Sequence, residues 1–359
     1  ALFEIVKSHA IQGLVVTVGG ISVVGYYLLK SKFKRSLVSN LYAFIIILIG
    51  AAAVLGTLQR GPFSFVYKRS VSLRGSYWSA GIEMGNAHPF TGIGLDSYGD
   101  WYRRTRPPQA LLDMPGVDVT SNVAHNVVID FFASGGYPLL LSYLAVLSLG
   151  LISIMRVTLR TRKFERTFVA IASVWLCYQV QSFISINQIG LAIWGWLLTG
   201  LLVSYEYASR FHENPVNPQT KSGKKQANSQ EGIISAHLVA GIGVVIGILV
   251  ALPPFSADSR WFNATNSRSV EKVEAALVPG LFNPMDSFRY AQAVNLLQNS
   301  NLPNLAHKYA VISVKFNPEY FAAWKQLYML PNSSESEKTL ALSNMKRLDP
   351  NNPDVTANP

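Results

Sequence analysis

The 359-residue chain is 49% hydrophobic and only 14% charged, against about a quarter charged in an average soluble protein. Its apolar residues fall into long blocks, which excludes an ordinary soluble domain. The net charge of +11 is uneven too: three short loops, residues 30–35, 156–166 and 206–232, hold thirteen Lys/Arg against four acids, or +9 of the total. Basicity placed this way is a topology signal and not a nucleic-acid footprint.

In chain order, the sequence opens at Ala1 with no initiator Met, basic start or small-residue cleavage site. It therefore shows no secretory signal and reads as a fragment or a processed product. About twenty apolar residues cross a hydrocarbon core. Ala10–Leu29, Leu37–Leu58, Tyr137–Met155, Thr167–Ile186 and Ile233–Leu252 meet that length, and Gly190–Tyr205 is a shorter sixth, flanked by Trp194, Trp196, Tyr205 and Tyr207 as in an interfacial belt. Lipid satisfies no backbone polar group, so these blocks are helices. Cys177, the single cysteine, sits in one of them; it excludes an intrachain disulfide or thiolate metal cluster and reads as a small packing residue. Gly241, Gly243 and Gly247 in the last block permit close helix packing. With six spans all three basic loops share one side, the cytoplasmic one. Ala1, the loop 59–136, the hairpin Asn187–Ile189 and the tail then lie outside, and an outside start implies upstream helices.

The expected fold is all-α: a polytopic membrane bundle of about six spans, a large helical extracytoplasmic loop and a C-terminal helical-repeat domain. Residues 1–205 form the membrane domain, 206–232 a polar, disordered cytoplasmic linker, 233–252 a further transmembrane helix and 253–359 the extracytoplasmic tail. In that tail, Asn283-Pro284, Asn317-Pro318 and Asp349-Pro350 recur 34 and 32 residues apart. Between them Ser287–Gln298 and Leu305–Lys315 have helical apolar spacing. A period near 34 with paired helices is the tetratricopeptide signature. Its use is either to dock a partner protein or to cap its own chain.

The loop 59–136 is too long for a simple connector. It contains Arg74-Gly-Ser-Tyr-Trp78, then His88-Pro89-Phe-Thr-Gly92-Ile-Gly94, then Arg103, Arg104 and Arg106, and finally Ala124-His125-Asn126 leading through Gly135-Gly136 into a span. This order of motifs resembles the O-antigen ligase superfamily (O-antigen ligases, O-antigen polymerases and protein O-oligosaccharyltransferases) over residues 1–205, the C-terminal half of such an enzyme. The resemblance implies a bacterial inner-membrane glycosyltransferase of cell-surface polysaccharide assembly, needing neither metal nor cofactor. It would move a glycan from a polyprenyl (undecaprenyl) diphosphate carrier to a hydroxyl of a glycan, lipid or protein acceptor.

Residue types fit those roles. His125 is the candidate general base, since a neutral imidazole can take an acceptor's proton near neutral pH. Arg74 is the first choice to hold the departing diphosphate, with Arg103 and Arg104 next, because guanidinium forks make paired charge-assisted bonds to phosphate oxygens. Trp78 supports the helix that Arg74 opens. Asn126 either caps the following helix or orients His125. Gly92 and Gly94 read as a tight turn, or else let the backbone approach the diphosphate. Asp96 and Asp100 lack a third ligand nearby and read as solvated. The rival reading is a non-enzymatic, membrane-anchored scaffold whose repeats bind a partner. Such a scaffold has no use for His125 and three arginines in one membrane-edge loop.

Overall fold

The computed structural model describes residues 11–57, 69–113, 116–212 and 236–356, together with Phe3 and Lys7. Residues 59–68 at the start of the long loop, residues 213–232 of the expected linker and residues 233–235 at the start of the expected last span lie outside the described residues. Every regular element among the described residues is helical. The chain divides into two compact units, Ala1–Val216 and Asn217–Pro359.

The first unit contains α1 (Ile11–Lys32), α2 (Ser36–Thr57), α3 (Arg69–Ala87), α4 (Tyr98–Thr105), α5 (Pro108–Asp113), α6 (Val127–Arg160), α7 (Arg166–Ser182) and α8 (Ile189–His212). α1 packs on α7 and α2, and α8 packs on both α6 and α7. Small residues set these approaches: Gly20 faces Cys177 and Gly150 faces the Trp175 ring, where a Cβ would lie 2.8 and 2.6 Å from its neighbours. Cys177 donates to the Val16 carbonyl, in keeping with a packing role. Tyr27, Phe168, Val169, Trp175 and Leu202 form the buried centre.

One end of this bundle gathers the basic loops. Lys30 donates to the Thr158 carbonyl and Arg162 to the Lys34 carbonyl, while Arg160 reaches Ser209 at 2.8 Å. Helices α1, α6 and α8 thus arrive at this end, and α2 and α7 leave from it. By length and composition Gly13–Lys32, Val127–Arg160, Ile189–Arg210 and, in the second unit, His237–Asn266 can each cross a membrane; Ser36–Ala52 is a shorter apolar stretch. Exposed Ile21, Phe44, Leu149 and Leu201 suit contact with lipid.

Helix limits differ from the sequence reading in three places that matter. α3 begins at Arg69, so Arg74 lies in its second turn and does not open it. The third span was expected to begin at Tyr137, but α6 begins ten residues earlier, because Asn126 caps it and the Gly135-Gly136 break only kinks it. The last span, expected to end at residue 252, also continues past Pro253 and Pro254. In the second unit α9 runs without interruption from Ala236 to Asn266. It gives up two backbone donors at the prolines, and Ala257, Trp261 and Ala264, one helical face, are buried beyond them. Gly241, Gly243 and Gly247 have nothing within 4 Å of their Cβ positions among the described residues.

The rest of the second unit is α10 (Val270–Ala276), α11 (Ser287–Asn299), α12 (Pro303–Phe316), α13 (Phe321–Met329), α14 (Glu335–Leu348) and α15 (Pro353–Thr356). α11 packs on α12 and α13 on α14, with α12 and α11 both touching α13. Each boundary marked by Asn or Asp before Pro has a local reason. Asn283 donates to the Ala276 and Val278 carbonyls, Asn317 accepts from the Glu319 amide and Asp349 accepts from Asn352. Starts are equally well specified: Asp286 caps α11, and Ser334 with Glu337 forms a capping box on α14.

Candidate active site

The site is built from α3, α4 and the start of α6. α3 lies against α6 through Gly81 and Gly85, four apart. A Cβ on either would come within 2.6 Å of Ile129 or Phe132 side-chain atoms, so glycine permits this approach without displacing those side chains. Ala80, Met84, Tyr98, Tyr102, Ala124 and Ala133 close the small core between these elements.

His125 occupies the turn that enters α6. Its φ is +56°, a left-handed conformation uncommon for non-glycine residues and usually held by its surroundings. Both flanks hold it here. The Ala124 amide donates to Asp130 Oδ1 at 2.6 Å, and Asn126 Oδ1 accepts from the Val128 and Ile129 amides at 3.0 and 3.2 Å. Of the two readings for Asn126, its geometry is that of the helix cap. Asn126→Ala is expected to cost about 0.5–2 kcal/mol, measurable as a lowered thermal unfolding midpoint.

The imidazole stacks on Tyr77, with ring centroids 5.6 Å apart and planes 27° from parallel. Tyr77 lies three residues beyond Arg74 on α3 and therefore on the same face. Burial pushes the His125 pKa below its ordinary value, and the Arg74 charge pushes it further the same way. Arg74 is itself half-buried; desolvation lowers its pKa and Tyr77 opposes that shift. The structure thus brings Arg74 and His125 into electrostatic contact around one tyrosine.

The other candidate arginines sit on α4, each held by its own neighbour. Arg103 donates to the Asp118 carbonyl at 3.2 Å and pairs with its carboxylate at 3.4 Å. Arg104 lies over the Trp101 ring at 4.0 Å, and His88 meets the same ring edge-on at 4.8 Å. Trp78 packs against the core of the site. Gly92 and Gly94 make the turn expected of them, and Gly92 also has a second task. The Ile93 and Gly94 amides donate to the Ala133 and Ser134 carbonyls, while the Tyr137 amide donates to Pro89. The loop is therefore stitched backbone-to-backbone onto the α6 kink. A Cβ on Gly92 would lie 2.2 Å from the Ser134 backbone. Among the described residues no group of three His, Cys, Asp or Glu is placed to hold a metal ion.

The sequence reading missed several residues. Tyr77 touches His125, and its spacing from Arg74 was the available signal. Asp130 ties down the His125 turn from one helical turn away. Arg106, only 2% exposed, donates to the Val117 carbonyl at 3.0 Å, so with Arg103 it fastens residues 117–118 to α4. Tyr98 donates to the Tyr77 carbonyl and Tyr102 meets the Tyr77 ring edge-on at 5.6 Å; burial raises both phenols well above their usual pKa. They stay neutral and wedge α4 against α3.

Comparison with known families bears on this loop directly. Residues 5–144 match the O-antigen ligase family. The match spans α1 to the first half of α6 and contains every candidate residue from Arg74 to Asn126. It supports the superfamily resemblance drawn from the Arg74, Gly92 and His125 motifs. Searches of curated proteins and of solved structures each returned no match.

Proposed function

We propose that the chain is an O-antigen ligase- or polymerase-type membrane glycosyltransferase, the activity to which the family match points. The observation that carries the reading is the pairing of Arg74 with His125 across Tyr77, inside the matched segment. In the proposed reaction an acceptor hydroxyl forms a bond to the anomeric carbon of a polyprenyl diphosphate-linked glycan. His125 takes the hydroxyl proton. The carbon–oxygen bond to the diphosphate breaks, and its electron pair stays on the departing lipid diphosphate. Arg74 offers its guanidinium to that growing charge, and Arg103 and Arg104 on α4 are second contacts. Trp78, Gly92, Gly94 and Asn126 hold the frame. No step calls for a metal.

A depressed pKa serves a base here. His125 remains neutral, and able to accept a proton, to a lower pH than a free imidazole. The proposed sidedness puts loop 59–136 and the tail outside the cytoplasm of a bacterial inner membrane. It draws support from the basic loops, which gather at one end of α6 while His125 stands at the other, with the 34 residues of that helix between them. The paired helices of the second unit support a tetratricopeptide-like module that recruits a protein partner.

The test is a pH profile of glycan transfer by the chain reconstituted in liposomes with a polyprenyl diphosphate-linked glycan. Transfer by the native chain should fall only as pH drops through a value below the ordinary imidazole pKa. Arg74→Gln removes a positive charge that disfavours protonated His125. It should therefore weaken transfer and move this acid limb to higher pH, whereas Arg74→Lys should keep the limb nearer its original place. An unchanged rate and an unchanged limb in Arg74→Gln would contradict the pairing.

A further inference from the structure

The basic end of the first unit contains a cavity of about 390 Å³, lined by Val157, Arg160, Thr161, Lys163, Tyr205 and Ser209 together with Glu165 and Ala208. It is remote from His125, at the other end of α6. One wall is apolar and fixed: Val157 is buried and the Tyr205 ring stacks on Phe168 at 5.4 Å. The other wall is charged and braced. Arg160 holds Ser209 at 2.8 Å and Glu206 at 2.6 Å, and Arg210 grips the same carboxylate at 2.6 Å. Two guanidinium groups on one buried carboxylate leave a net positive charge. Lys163 adds another on the exposed rim, where Glu165 opposes it. Lys30 and Arg162 are anchored close by, on Thr158 and Lys34.

Position narrows the ligand. Ile152, Met155, Leu201 and Val203 are exposed within about one and a half turns before the cavity on α6 and α8. The cavity therefore lies where an apolar surface gives way to cations, the depth at which lipid phosphates sit. Basic pockets between membrane helices bind phospholipid headgroups for this reason.

We propose that this cavity holds the headgroup of an anionic glycerophospholipid. The phosphodiester engages Arg160 and Lys163 with the Thr161 hydroxyl, and the glycerol carbons lie against Val157 and Tyr205. The site stands independently of the glycosyltransferase reading. Its test is native mass spectrometry of the chain released from bilayers of phosphatidylcholine containing either phosphatidylglycerol or phosphatidylethanolamine. Phosphatidylglycerol should be retained in preference to both other lipids. Each surface cation is worth about 1 kcal/mol toward an anionic lipid, so Lys163→Gln should lower retention roughly five-fold. Glu165→Gln should raise it, and Ala208→Phe, which fills the cavity without changing charge, should abolish it. Equal retention of all three lipids would overturn the proposal. So would preference for phosphatidylethanolamine with loss on Glu165→Gln, or full displacement of the lipid by soluble glycerol phosphate.

Discussion

Replacing His125 by asparagine is expected to lower glycan transfer by roughly 10²–10⁴-fold, the usual worth of a positioned proton acceptor, while the protein stays folded. Asparagine is the informative choice because of the backbone. At φ +56° an alanine would add strain to the loss of the base, whereas asparagine tolerates the left-handed region better than most residues. The two effects are thereby separated. The unfolding midpoint of His125→Asn should lie near that of the native chain, less what the Tyr77 stacking contributes, and transfer should nearly vanish. Transfer at the native rate by a folded His125→Asn chain would remove the imidazole from the chemistry.

The second large effect is expected at Gly136, and it is structural. Gly136 has φ +62° and ψ −158°, a region essentially confined to glycine, where another residue costs about 1–3 kcal/mol. A Cβ there would also lie 2.3 Å from the Pro89 carbonyl oxygen. That neighbour is backbone, tied to the Tyr137 amide at 2.7 Å, and cannot swing aside. Gly136→Ala should therefore cost more than about 4 kcal/mol, in the range reserved for gross steric faults. Gly92→Ala should behave alike, since its φ is +61° and its Cβ would meet Ser134 backbone. Gly75 is the control: nothing lies within 4 Å of its Cβ position in α3, so Gly75→Ala should leave stability unchanged or raise it by up to about 1 kcal/mol. Thermal unfolding in detergent distinguishes the three. A native-like midpoint for both Gly136→Ala and Gly92→Ala would mean that the loop does not dock on the α6 kink.

The contrast between these glycines shows what was legible beforehand. The Pro89–Gly94 turn and the Gly135-Gly136 break could each be recognised from local spacing. Their mutual contact could not, because it joins segments about forty residues apart, and no local pattern encodes it. Long apolar blocks announced the helices reliably, since lipid leaves the backbone no other solution. Their ends were less readable. α6 starts at an Asn cap within what looked like loop, and α9 passes through two prolines because its far end is held by packing of Trp261 and Ala264. At the site, His125 and Arg74 were recognisable from motif order. The residues that position them were not: Tyr77 and Asp130 act through a helical face and a backbone amide, and neither residue type alone suggests that task.

The most direct measurement of the central claim is photocrosslinking with a polyprenyl diphosphate glycan that carries a diazirine beside the first sugar, followed by peptide mapping. The lipid-borne sugar should label the peptide containing Arg74 and Tyr77 and the peptide containing His125 in the same sample, and unlabelled donor should suppress both together. Labelling confined to other segments, or to only one of these peptides, would contradict a shared site for the two residues.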